Sequence, residues 1–124
     1  MTKSKQSGFT LIELVIAISI IGILAALAVT KFIDLSGDAT AASKKGMSGA
    51  VKSSHAIAIA DLKRFPTNTE LATYVNGEGI SAAATGINVT IDGTTHIVPA
   101  YSDSNCVTQI SAAGDTVQCV GNIP

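Results

Sequence analysis

Polar and apolar positions divide this chain abruptly. Residues 1–8, MTKSKQSG, are polar and basic, whereas residues 9–29, FTLIELVIAISIIGILAALAV, are apolar with a single charged interruption. As a helix, those 21 residues span about 31 Å, the thickness of a bilayer's hydrocarbon layer. Beyond them the pattern becomes a helical stripe. Met47, Val51, Ile59 and Leu62 fall on one face, and Ala39, Ala42, Gly46, Ala50 and Ile57 form an adjoining stripe of mostly small side chains. The bulkier stripe is expected to cover a sheet, and the smaller one to allow close helix–helix approach. No proline occurs before Pro66, so one helix is predicted from Phe9 to about Lys63, about 80 Å long. Local loosening is expected near Gly22 or Gly37 when such helices are packed together.

After Pro66 the periodicity shortens. Residues 67–76 read as a short helix, capped by Thr67 or Thr69, with Glu70 in its first turn. Asn76-Gly77-Glu78-Gly79 is a turn signal, and residues 81–86 read as a small-residue linker. Residues 87–91 alternate apolar and polar, Asp92-Gly93 signals a tight hairpin, and residues 95–101 form its second arm. A second hairpin is predicted from residues 107–111 and 116–120, turning at Ala112–Asp115; in that register Cys106 faces Cys119. The expected fold class is α+β: a long N-terminal helix, hydrophobic then amphipathic, packed on a small antiparallel sheet of about four strands. The expected organisation is a leader over 1–8, a membrane or bundle-core helix over 9–30, and a head domain over 31–124, with the helix continuing to about residue 63.

Composition changes this picture in two ways. The chain has 124 residues, enough for one domain, and is 47% apolar, but it has no Trp, three Phe and two Tyr. With much of the apolar content in residues 9–29, the core of the soluble part must be small and needs support from a disulfide or from neighbouring subunits. The formal net charge is −1, with Lys3 and Lys5 the charged residues before Gly8. That basic cluster keeps the N-terminus cytoplasmic and sends the C-terminal part across the membrane. No basic stripe with interleaved aromatics marks a nucleic-acid surface. Cys106 and Cys119, thirteen positions apart, are too distant for CxxC redox chemistry and lack companions for a zinc site. In an exported chain they read as one disulfide, in a cytosolic chain as two separate thiols.

Glu13 interrupts the apolar run. An ordinary secretory signal would be cut after the run, where Ala25, Ala26 and Ala28 lie. A plain anchor explains the length of the run, but neither reading explains a carboxylate inside it. Such a group costs several kcal/mol without a partner and is by default functional. The basic leader, then Gly8, Phe9-Thr10-Leu11-Ile12-Glu13 and the apolar run resemble the class III signal of type IV pilins and type II secretion pseudopilins. The resemblance covers residues 3–29. Lys31-Phe32-Ile33-Asp34-Leu35 is similar to pilins of the mannose-sensitive haemagglutinin kind.

The resemblance implies a set of roles. Prepilin peptidase would cut between Gly8 and Phe9 and methylate the new amine of Phe9. Glu13 would pair with the terminal amine of a neighbouring subunit during assembly, since each charge is costly alone in a low-dielectric bundle and far less so when paired. Cys106 and Cys119 would close a C-terminal disulfide around a surface segment. The chain would be a structural subunit of a type IV pilus filament serving adhesion, motility or surface attachment. It would be held as a single-pass precursor in the bacterial inner membrane and then displayed extracellularly. Its partners would be copies of itself, the peptidase, and the assembly platform and motor proteins, with no nucleic acid as primary ligand and no cofactor. A type II secretion pseudopilin and a minor pilin for DNA uptake are alternatives within the same fold; an anchored enzyme and a non-polymerising binding module lie outside it. His55 and His96 lack a nucleophile or acid nearby, with His55 expected as a surface or boundary residue. Asp92, Asp103 and Asp115 are scattered over separate turns without a calcium-loop motif. No catalytic or metal site is therefore expected.

Overall fold

A computed structural model of the chain describes residues 8–124; the leader expected over residues 1–8 lies, apart from Gly8, outside the described residues. The elements are α1 (Leu11–Leu62), α2 (Asn68–Tyr74), β1 (Ser81–Ala82), β2 (Gly86–Ile91), β3 (Thr94–Tyr101) and β4 (Cys119–Val120). This is the expected α+β class. The chain forms two compact units, the first ending at Asp38 and the second running from Ala39 to Pro124.

In the first unit the most hydrophobic stretch of α1 has a mean hydropathy of 2.7 and is uncovered. Ile12, Ile16, Ile20, Ile23 and Leu27 are all exposed. Among the described residues, this helix is long and apolar enough to cross a membrane. Helical structure runs through both Gly22 and Gly37.

In the second unit the bulkier stripe of α1 turns inward. Val51 and Ala58 are buried and Met47 is partly buried, while Ile57, from the small-residue stripe, stays exposed. Val51 joins one core with Leu71 and Val75 of α2, Ile87, Val89 and Ile91 of β2, and Val98 and Ala100 of β3. Isolated residues from the C-terminal segment, Ile110, Val117 and Val120, complete it. Most of these are Val or Ile, whose stiff branched side chains suit a pleated, half-buried surface.

Each terminus of the helices has a local cause. α1 stops at Lys63, which adopts a left-handed backbone (φ 57°) while its N–H reaches the Ile59 carbonyl at 2.9 Å. Pro66 follows and cannot continue the helix. α2 starts with a full capping box: the Thr67 hydroxyl accepts from the Glu70 N–H, and the Glu70 carboxylate accepts from the Thr67 N–H at 2.8 Å. Arg64 holds the same carboxylate with both guanidinium arms, and Tyr74 donates its hydroxyl to Asp61. The end of α1 is thus tied to α2 by polar contacts.

The antiparallel sheet has the order β1-β2-β3-β4. The first hairpin is as its alternation predicts, with Ile91 opposite Thr94 across Asp92 and Gly93, both at positive φ. That is the geometry of a two-residue type I′ turn. Two expectations need correction. Ser81–Ala82 is strand β1, paired with Asn88 and Ile87, where a linker was expected. The second hairpin does not form. Residues 107–118 bond to distant backbone instead: Ile110 to Ala100, Val117 to Pro66 and Gln118 to Tyr101. Its predicted second arm keeps only Cys119–Val120 as strand, paired with β3. The first of these segments buries Ile110 and the second buries Val117 and Val120, all against the existing core, and this docking takes the place of pairing with each other.

Candidate functional site

The residues singled out by the sequence fall into two groups, one in each unit. The first group begins where α1 begins. Gly8, Phe9 and Thr10 lie ahead of the helix in irregular backbone. Phe9 is 87% exposed, and among the described residues nothing approaches within 4 Å of the place where a side chain on Gly8 would sit. Among the described residues, none covers the peptide bond between Gly8 and Phe9.

Glu13 sits in the first turn of α1. Its carboxylate accepts from the Thr10 N–H at 2.9 Å and from the Thr10 hydroxyl at 2.8 Å. The Thr10 hydroxyl in turn accepts from the Glu13 N–H at 3.3 Å. This reciprocal arrangement is a capping box that satisfies two of the four N–H groups a helix leaves unpaired at its start. It also places negative charge at the positive end of the helix dipole. The sequence reading found Glu13 but not the role of Thr10, although a Thr followed three positions later by Glu, just ahead of an apolar run, carries that signal.

The second group is the cysteine pair. Cys106 and Cys119 form a disulfide with their Cα atoms 5.4 Å apart. The segment it closes is shaped by two aspartates. Asp103 accepts from the backbone N–H groups of Thr108 (2.6 Å), Val107 (3.1 Å) and Asn105 (3.2 Å). These donors, Thr108 foremost, hold its carboxyl below the usual carboxylate range. Asp115 accepts from the Ser111 and Ala112 N–H groups, both at 2.9 Å, and is lowered for the same reason, Ser111 foremost. Cys106 takes a left-handed conformation, φ 55°, inside the Asp103 turn. Val107, the next residue, is 77% exposed. The result is a fixed, solvent-facing loop.

His55 corrects the expectation of a surface or boundary residue. It is buried, at 8% exposure, and its Nε2–H donates to the Val117 carbonyl at 2.9 Å. Its ring stacks on Phe65 with centroids 6.4 Å apart. Asn68 is a second buried polar residue that sequence patterning missed. Its amide donates to the Ala83 and Gly86 carbonyls, both at 2.8 Å. His55 thus satisfies a carbonyl of the irregular C-terminal segment, and Asn68 ties α2 to the turn between β1 and β2, where the Gly86 carbonyl also accepts from the Ala83 N–H at 2.8 Å. Asp92, Asp103 and Asp115 serve turns, and among the described residues no cluster of potential metal ligands occurs.

With this geometry in place, comparison with known proteins is informative. The model of the prokaryotic N-terminal methylation motif matches residues 3–29. The type IV narrow pilus major component PilA5 of Thermus thermophilus is 39% identical over 100 residues, covering 81% of this chain and 84% of that protein. The fimbrial protein EcpC of Eikenella corrodens is 36% identical over 93 residues, covering 68% of this chain and 61% of that protein. No solved structure matches the chain significantly.

Proposed function

The chain belongs to the type IV pilin family, and from that premise we propose that it is a major structural subunit of a pilus filament serving surface attachment. The observation that carries this reading is the uncovered apolar surface of α1 with Glu13 in its first turn. A lone chain exposes that surface only at great cost in water. A bilayer covers it before assembly, and the helices of neighbouring subunits cover it afterwards. The match along 84% of a protein named as a major pilus component supports the major role.

In this reading prepilin peptidase cuts the Gly8–Phe9 bond and methylates the Phe9 amine. The cut removes the basic leader, so the bias that held the N-terminus in the cytoplasm is lost. It also creates a cationic amine four residues ahead of Glu13. In the low-dielectric interior of a helix bundle, the carboxylate of one subunit and the amine of its neighbour each stabilise the other's charged form. The pair favours one axial stagger over others, as a buried polar residue fixes register in coiled coils. The energy for extraction from the membrane comes from motor proteins acting through an assembly platform.

The intact mass of protein sheared from the cell surface tests this directly. The expected mass lacks Met1–Gly8, gains one methyl group and lacks the two hydrogens lost on joining Cys106 to Cys119. A mass beginning past Ala28 would show ordinary secretion and overturn the reading.

A further inference from the structure

Five asparagines occur in the chain, all in the second unit, and the fold leaves them chemically unequal. Asparagine is thermolabile because the next residue's amide nitrogen can attack its side-chain carbonyl carbon. The attack needs a mobile side-chain amide followed by a free, unhindered N–H. Four of the five lack this. Asn68 is fully buried and donates to the Ala83 and Gly86 carbonyls, and the Thr69 N–H after it donates to the Ala113 carbonyl at 2.9 Å. Asn88 donates to the Ser81 hydroxyl at 3.1 Å and precedes Val89, a branched residue paired with His96 in the sheet. Asn105 precedes Cys106, whose N–H donates to the Asp103 carbonyl at 3.4 Å. Asn122 accepts from the Lys52 ammonium at 2.7 Å, and the Ile123 N–H after it donates to the Ser48 hydroxyl at 3.0 Å.

Asn76 differs from all of these. It lies with Gly77 in the exposed turn between α2 and β1. Among the described residues, neither the Asn76 side chain nor the Gly77 N–H hydrogen-bonds to any protein group. Gly77 has no side chain to hinder approach of its own nitrogen. We infer that Asn76-Gly77 is a self-modifying site, where the asparagine deamidates to a mixture of aspartate and isoaspartate.

The reaction consumes one water and releases ammonia. Hydroxide takes the Gly77 amide proton, and the nitrogen bonds to Asn76 Cγ. The Cγ–Nδ2 bond breaks, and Nδ2 leaves as ammonia after taking a proton from water, which restores the hydroxide. A water then opens the five-membered imide. Attack at Cγ restores the ordinary backbone and leaves an aspartate. Attack at the main-chain carbonyl carbon leaves the backbone running through Cβ and Cγ, as isoaspartate. Either product adds a carboxylate close to Glu78. Isoaspartate also lengthens the main chain between two anchored points. Val75 is buried in the core, and the Glu78 carbonyl accepts from the Thr90 N–H at 2.9 Å. A β-carbon on Gly77 would lie 3.1 Å from Ile80 Cδ1 and 3.2 Å from Met47 Cε, so Gly77 sits against the edge of the core. The longer backbone must bulge away from it and pull on the Glu78–Thr90 bond. Because the change accumulates with time, the turn becomes more acidic and looser as the chain ages.

The test uses the full chain in detergent micelles, incubated at neutral and at mildly alkaline pH, so it decides the matter whether or not the chain forms filaments. Glu-C protease releases Leu71–Glu78, whose mass is followed over time. The expected result is a gain of about 1 Da in that peptide, faster at the higher pH, with the other four asparagines unchanged over the same period. The product should accept a methyl group from isoaspartyl methyltransferase, and the Thr90 N–H should exchange faster in the isoaspartyl fraction. Asn76→Gln should abolish the gain, and Gly77→Ala should slow it about tenfold. Should Gly77→Ala fail to fold, Asn76→Gln carries the test. Overturning results are an unmodified Leu71–Glu78 over a period that fully deamidates the same sequence as a free peptide, an equal gain at Asn88 or Asn105, or a gain that persists in Asn76→Gln.

Discussion

Glu13 and Thr10 satisfy each other at the start of α1: the carboxylate accepts both the backbone N–H and the hydroxyl of Thr10, at 2.9 and 2.8 Å. The one acid inside the apolar run therefore has two separable properties, a local cap and a charge. The cap needs only an acceptor oxygen, whereas pairing with a neighbour's amine needs the charge. The distinction makes the assembly role testable by substitution.

Glu13→Gln retains an amide oxygen for the Thr10 N–H and removes the charge. Glu13→Val removes both, and Thr10→Ala removes only a hydroxyl cap of about 1 kcal/mol. If the charge drives assembly, both Glu13 variants insert into the membrane normally and lose surface filaments, while Thr10→Ala retains them. Electron microscopy of sheared material, with membrane fractionation as control, measures this. Normal filaments from Glu13→Gln would reduce Glu13 to a helix cap.

Glu70 gives the second unit a dependence on acid. The Arg64 guanidinium, followed by the Thr67 N–H, lowers its carboxyl from the usual 4.5 to about 2. A depressed value in the folded state stabilises that state above the unfolded value, and the contribution is lost as pH falls through the folded value. Glu70→Gln should therefore be less stable than the parent chain at neutral pH, with the difference closing between about pH 4.5 and pH 2. Asp103 and Asp115 are lowered too, but they are common to both chains and cancel in the comparison. Thermal unfolding of the two proteins across this range is the measurement; a difference independent of pH would remove the ion pair from the account.

The disulfide joins residues thirteen positions apart, and in the chain-entropy picture a loop of that size contributes about 3 kcal/mol. Replacing both cysteines with serine should lower the opening free energy of the second unit by about that amount. Hydrogen exchange at the amides of Val89 and Val98, deep in the paired strands β2 and β3, reads it in the full chain. Unchanged exchange would show that the loop is held by the Asp103 contacts alone.

Asn68 donates to two backbone carbonyls from a fully buried position. Asn68→Ala leaves the Ala83 and Gly86 carbonyls without those donors and should destabilise the second unit by about 2 kcal/mol. The same exchange measurement applies, and β1, which adjoins Ala83, should open first. A loss below that of a typical surface substitution would mean that water replaces the amide without penalty.

What the sequence determined by itself was governed by near neighbours in the chain. The apolar run, the capping of α2 by Thr67 and Glu70, and the Asp92-Gly93 turn each depend on residues a few positions apart, so periodicity and turn chemistry reveal them. The disulfide was legible once residues 3–29 were read as an export signal, since the cysteine pair alone reads either as a bridge or as two thiols. What only tertiary structure decided involves partners far away in sequence. Residues 107–118 alternate like a hairpin, yet their backbone groups bond to Pro66, Ala100 and Tyr101. His55 reads as a lone polar residue on a helix until Val117 and Phe65 close over it. Burial and long-range hydrogen bonding are set by which segments dock on the core, and no local pattern of polar and apolar residues specifies that choice.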